Sequence, residues 1–416
     1  MRDTDIAAVG EVAGEALAAG GTLVKDMHEG IAARTFAAVG PLGAPARAIH
    51  DRMARAVYGG VRAALRGAAD GGAALAAARA SADAPAIATT TGGSLAVAAL
   101  NGLYGNHLAR RGNELALEMA IRRDGEEIPP TAPELLAGFP DASSRVAVFV
   151  HGLGETDEAW RLFPLRGRRA GRQTYGERLQ EDLGFTPVTL RYNSGLHISE
   201  QGRRLAALLD ELVDGWPTHV DEIVLVGHSM GGLVARSACH YAELDGRRWC
   251  ESVRHVFCLG TPHLGADLEK GVNALGAALG RLPETRAFAN LLNARSVGIK
   301  DLRYGSLVEE DWRERDPDEF LKDRCHEVPF LPDANYYFVA ATLSEGPLGS
   351  LLGDLLVRTP SASGRGTGTG RRIPFEVDNG RELSGLTHFD LLNHPAVYAQ
   401  LRAWITRERR PSLPAG

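Results

Sequence analysis

Apolar runs of strand length recur along the second half of the chain: Val146–Val150, Pro187–Arg191, Ile223–Val226, Val253–Leu259 and Asn335–Thr342. Each is rich in β-branched or aromatic residues and ends in glycine, asparagine, serine or proline, which predicts buried strands closed by turns. Between them the period changes. Leu205, Leu208, Leu209 and Leu212 share one face of a helix for which Ser199 is the predicted N-cap, and a second helix-forming run starts just after Ser229. Strands alternating with helices predict an α/β fold with a mostly parallel central sheet. Leu115–Arg122 reads as an earlier strand entering the turn Asp124-Gly125, Ile373–Val377 as a final short strand, and Pro395–Arg407 as a terminal helix.

The pattern also divides the chain. Residues 1–112 are rich in alanine and glycine and poor in aromatics, with helical stripes at Ile6, Val9, Ala13, Leu17 and at Ile49, Met53, Val57, Val61, Leu65. They are expected to form an N-terminal helical module. A catalytic domain is expected over 113–410, with a tail at 411–416. Within that domain residues 264–332 lose strand periodicity and become leucine-rich and helical, an insertion of the kind that caps a site. Gly364–Gly370 reads as a mobile loop.

Composition narrows the function classes. Of 416 residues 44% are hydrophobic, ordinary for a soluble chain, and a formal net charge of -6 without any basic motif interleaved with aromatics disfavours nucleic acid. No apolar run reaches membrane-spanning length, and Met1-Arg2-Asp3-Thr4-Asp5 lacks the basic and leucine-rich start of a secretory signal, so cytoplasm is the expected compartment. Cys239, Cys250, Cys258 and Cys325 have no metal-type spacing and read as thiols; a Cys250–Cys325 bridge would reverse the inference about compartment.

The chemistry centres on Gly227-His228-Ser229-Met230-Gly231. A strand before and a helix after this Gly-x-Ser-x-Gly force the serine into a strained turn that exposes its hydroxyl, while the helix start aims the Met230 N–H at the same point. These residues, with Gly260-Thr261-Pro262-His263-Leu264-Gly265, resemble the lipase and esterase branch of the α/β-hydrolase superfamily, particularly bacterial lipases and inositol-deacylase-like relatives. The resemblance spans roughly residues 114–407 and implies an α/β-hydrolase fold with a helical cap. It also implies a second oxyanion donor, Leu153 N–H, in the turn His151-Gly152-Leu153-Gly154 that follows an early strand. By the same resemblance His151 belongs to the oxyanion loop rather than to acid-base work, and His197 is structural.

A serine nucleophile needs a base and a carboxylate to orient it, and in this superfamily they follow in the order serine, acid, histidine. His388 and His394 lie late enough to be the base. Pro395 suits a first helical position and turns His394 or Asn393 into a cap, which leaves His388, in Thr387-His388-Phe389-Asp390. Gly353-Asp354-Leu355-Leu356-Val357 looks like the acid segment of the family and points to Asp354, with Glu345 and Asp378 as the other carboxylates in range. The implied activity is hydrolysis of carboxylic esters with an apolar acyl group, without cofactor or metal. Acyl transfer by the same residues and a non-catalytic scaffold are the alternatives. The second N-terminal stripe, flanked by Arg47, Arg52, Arg55, Arg62 and Arg66, suits either docking on a lipid surface or packing against other helices.

Overall fold

The computed structural model describes residues 91–113, 115–162, 173–266, 295–314, 325–342, 357, 359–365 and 371–407, with isolated residues between 47 and 63. Eight strands form one sheet: β1 (Ala120–Arg123), β2 (Glu126–Ile128), β3 (Arg145–Val150), β4 (Thr186–Arg191), β5 (Glu222–His228), β6 (Val253–Leu259), β7 (Asn335–Thr342) and β8 (Gly380–Ser384). Their order is β2-β1-β4-β3-β5-β6-β7-β8. From β4 to β8 every neighbouring pair is parallel, while the β1–β2 hairpin joins β4 antiparallel. This is the fold class that the alternating pattern predicts.

Helices cover both faces, which is why the central strands read as unbroken apolar runs. On one face Val148, Val150, Ile223, Leu225 and Val256 meet Leu205, Leu209 and Leu212 of α3 (Ile198–Gly215) and Leu233 and Val234 of α4 (Met230–Leu244). On the other, Phe149, Val224, Val226, Phe257 and Leu259 meet Leu179 of α2 (Tyr175–Leu183) and Val397, Leu401 and Trp404 of α5 (Pro395–Ile405). Successive residues of β5 therefore alternate between two cores, and each fully buried side chain contributes about 1.5–3 kcal/mol.

The 20-residue helix α1 (Thr91–Arg110) joins this body through its polar and glycine positions. Asn101 Nδ2 donates to Leu115 O at 2.8 Å and its Oδ1 accepts from Leu117 N at 2.9 Å. Residues 115–118, expected in the first strand, are thus held by α1, and β1 begins only at Ala120. The stripe residues Ile6, Val9, Ala13, Leu17, Ile49, Met53, Val57, Val61 and Leu65 lie outside the described residues.

Two further expectations change. α3 starts at Ile198, so Ser199 is not its cap. Ser199 Oγ accepts from Trp312 Nε1 at 2.9 Å, and the Ile198 N–H is met by Asp301 Oδ2 at 2.9 Å from a distant segment. The last strand is Gly380–Ser384 rather than Ile373–Val377. Pro374 has no N–H for a ladder, and Ile373 and Phe375 are buried among side chains instead, with Phe375 against Phe330 and Phe338. All four cysteines carry thiols rather than disulfides; Cys250 Sγ donates to Arg247 O, and Cys325 Sγ lies 3.5 Å from Ser306 Oγ. No helix among the described residues is long and apolar enough to cross a membrane.

Candidate active site

Ser229 stands where β5 turns into α4, with φ 53° and ψ -122°. A non-glycine residue held at positive φ costs on the order of 1–3 kcal/mol, and here the surrounding packing imposes it. The Ser229 N–H donates to Leu259 O at 2.8 Å, tying the turn to the end of β6. A Cβ at Gly227 would sit 2.4 Å from Gly232 N, and one at Gly231 would sit 2.1 Å from Val150 O. Only glycine fits at either place. Ser229 itself remains partly exposed at the carboxyl edge of the sheet.

His388 reaches the same edge from the loop before α5 and is buried. A Cβ at Gly260, the residue after the Ser229 partner Leu259, would lie 2.9 Å from His388 Cε1 and 3.0 Å from Nδ1. The imidazole therefore lies directly against the chain that anchors the serine turn. His394 is engaged elsewhere: its Nδ1 accepts the Ala396 N–H at 3.2 Å, capping α5. Asp354 and Glu345 lie outside the described residues. Asp378 is described, in the turn before β8, where its carbonyl accepts from Trp404 Nε1 at 3.1 Å.

The glycine-rich turn after β3 comes up beside the serine: a Cβ at Gly152 would lie 3.0 Å from Ser229 Cβ. Leu153, the expected second oxyanion donor, follows it, and the Gly154 N–H is occupied by Ser194 Oγ at 2.9 Å. His151 is buried, accepts the Tyr192 N–H on Nε2 at 3.2 Å and donates from Nδ1 to Gly152 O at 2.9 Å. That bonding requires the neutral ring, and burial holds its pKa below the ordinary histidine value. The ring stacks on Tyr192 at 4.2 Å, so His151 holds the loop. His197 likewise stacks on Trp312 at 3.7 Å and bonds Asp301 at 3.1 Å.

One residue that no sequence pattern singled out lies within this group. Glu155, just past the glycine-rich turn, accepts the Gly152 N–H at 2.7 Å and meets His228 Nδ1 at 3.0 Å. A second is Gly102 of α1, where an added Cβ would stand 2.9 Å from Gly154 Cα, so the N-terminal helix braces the glycine-rich turn from behind. Among the described residues no three His, Cys, Asp or Glu side chains converge as a metal cage.

Residues 142–317, which carry β3 to β6 and the serine turn, match the family described as the PGAP1-like alpha/beta domain. Over residues 142–317 the chain is thus α/β-hydrolase-like, and its mostly parallel sheet has the α/β-hydrolase fold. Solved structures that resemble this chain include a Bacillus licheniformis lipase in its propeptide form, 18% identical, with 66% of this chain and 53% of that one covered at a TM-score of 0.41. A phospholipase from Legionella pneumophila is 13% identical over 64% of this chain and 61% of that one, with a TM-score of 0.38. A Staphylococcus hyicus lipase is 15% identical over 62% and 91%, with a TM-score of 0.30. The chain thus spans about half the length of the Bacillus lipase. No curated protein matches it.

Proposed function

We propose that this α/β hydrolase cleaves carboxylic esters with an apolar acyl group through an acyl-enzyme on Ser229. The observation that carries the reading is the strained, partly exposed Ser229 at a strand–helix turn with the His388 ring packed against the chain that anchors that turn. In this scheme His388 takes the hydroxyl proton as Ser229 Oγ attacks the acyl carbon, and it returns the proton to the departing alkoxide. Water activated by the same imidazole then releases the acid. Charge on the carbonyl oxygen is met by the N–H groups of Leu153 and Met230, the latter at the first position of α4. Asp354 is the carboxylate that orients His388, by its resemblance to the acid segment of lipases.

The leucine-rich sequence of residues 272–292, which lie outside the described residues, supports an apolar substrate by its composition. A fluorophosphonate probe and a series of p-nitrophenyl esters of increasing chain length test the proposal together. Labelling of the wild type that vanishes in Ser229→Ala, with turnover rising toward longer acyl chains, is the expected result. Labelling that persists in Ser229→Ala, or an enzyme inert toward the whole series, would overturn it.

A further inference from the structure

Behind the serine turn lies a buried pair of ionisable side chains that the scheme above leaves unused. The His228 side chain is fully enclosed, with Nδ1 3.0 Å from Glu155 Oε2 and Nε2 3.1 Å from the backbone oxygen of His388. A carbonyl oxygen can only accept, so Nε2 carries a proton. The other partner is a carboxylate oxygen that already accepts the Gly152 N–H at 2.7 Å. Burial acts to raise the Glu155 pKa, but the charge and hydrogen bond of His228, with help from the Gly152 N–H, outweigh it and hold the group below its ordinary value. Glu155 is then the anion of the pair, and both His228 nitrogens face acceptors.

Enclosing a carboxylate and an imidazole away from water is costly, and an apolar pair of equal volume would fill this space at less expense. What an apolar pair lacks is direction. One imidazole ring here joins three segments: the glycine-rich turn through Glu155 and Gly152, the serine turn through its own backbone, and the histidine loop through His388 O. Every aromatic ring around it belongs to the same neighbourhood, with the His388 centroid at 4.7 Å and those of Trp160 and Phe389 at 6.4 Å.

We propose that Glu155 and His228 form a positioning pair that sets the base His388 and the oxyanion loop in register with Ser229. The inference rests on the reading of Ser229 and His388 given above. It assigns no bond-making step to either residue; both act through their neighbours. The titratable groups that face the pair are His388 from the histidine loop and His151, the neutral ring behind the glycine-rich turn. In Glu155→Gln the amide can donate to Nδ1, so a neutral His228 keeps its bond to His388 O. The variant removes the carboxylate charge and loosens the grip on the Gly152 N–H.

The test follows p-nitrophenyl butyrate hydrolysis by wild type, Glu155→Gln, His228→Gln and the double variant across pH, with folding checked by thermal melting. Because a misplacement of about 1 Å can cost about 100-fold, kcat is expected to fall roughly 10–100-fold in each single variant with KM within about twofold. The double variant should be no worse than the poorer single one. A fall in kcat with KM preserved is a split that mere loosening of the fold would not produce. Folded variants with wild-type kcat overturn the proposal. If Glu155→Gln does not fold, His228→Gln, whose amide still can donate to His388 O, carries the same comparison. Fluorophosphonate labelling of the wild type separates the two levels: without labelling at Ser229 the functional reading fails, whereas labelling together with unaffected variants sinks only the positioning pair.

Discussion

Adding one methyl group to α1 should damage catalysis more than folding. In Gly102→Ala the new Cβ would lie 2.9 Å from Gly154 Cα, 3.0 Å from Gly154 N and 3.7 Å from Leu153 Cδ1. Carbon atoms in contact ordinarily stand about 3.5–4.0 Å apart, so something must move by about 0.6 Å or more. The helix is poorly placed to yield. Ser296 N donates to Leu103 O at 2.8 Å, Ser296 Oγ donates to Gly102 O at 2.6 Å, and Asn193 Nδ2 donates to Gly105 O at 3.0 Å. The glycine-rich turn, held at Gly154 chiefly by Ser194 Oγ, should give instead. Overpacking of this kind costs about 1–3 kcal/mol, while replacing a helical glycine by alanine returns about 1 kcal/mol, so net stability changes by roughly 0–2 kcal/mol. Catalysis has no such compensation. If Leu153 N–H is an oxyanion donor, displacing it should lower kcat/KM about 10–100-fold, toward the range seen when such a donor is removed. Steady-state hydrolysis of p-nitrophenyl butyrate beside a melting curve checks both numbers. A melting temperature shifted by more than about 10 °C, or an unchanged kcat/KM, would refute the reasoning.

Ser229→Ala and His388→Ala are each expected to lower kcat by about 10⁴-fold, with little further loss in the double variant because such residues act as a unit; near-normal turnover in His388→Ala with loss in His394→Ala would reassign the base. Asp354→Asn should be far more damaging than Glu345→Gln, since an amide cannot hold the imidazole in its productive tautomer, and equal activities would remove Asp354 from the scheme. His263 is buried, accepts from Arg236 on Nδ1 at 3.0 Å, and is pushed well below the ordinary histidine value by burial and by the charges of Arg236 and Arg371. Its folded pKa is depressed, so the unfolded chain takes the proton first and stability falls as pH drops below about 6.5. Urea midpoints at pH 7.5, 6.5 and 5.5 should record a loss of about 1 kcal/mol over the last step that shrinks in His263→Asn, and identical slopes in the two proteins would contradict this assignment.

What the sequence determined by itself is local. Val146–Val150, Val253–Leu259 and Asn335–Thr342 declare themselves as buried strands because helices cover both sheet faces and every position must be apolar. The serine turn is legible because a strand can become a helix over so few residues only where glycines admit neighbouring backbone, as at Gly227 and Gly231. The cap on α5 is legible too, since Pro395 and His394 are adjacent in the chain. Tertiary structure decided whatever depends on partners far apart in sequence. Asp301 caps α3 from 103 residues away, displacing Ser199 from that role, and β8 is an exposed edge strand whose Gly-Arg-Glu-Leu-Ser sequence has no apolar run to announce it. Glu155 meets His228 across 73 residues, and Gly102 meets Gly154 from a helix whose alanine-rich sequence resembles nothing in the catalytic domain. Spacing along a chain encodes which face a side chain takes, but a buried carboxylate or a glycine contact acquires its meaning only from the group that the fold brings opposite it.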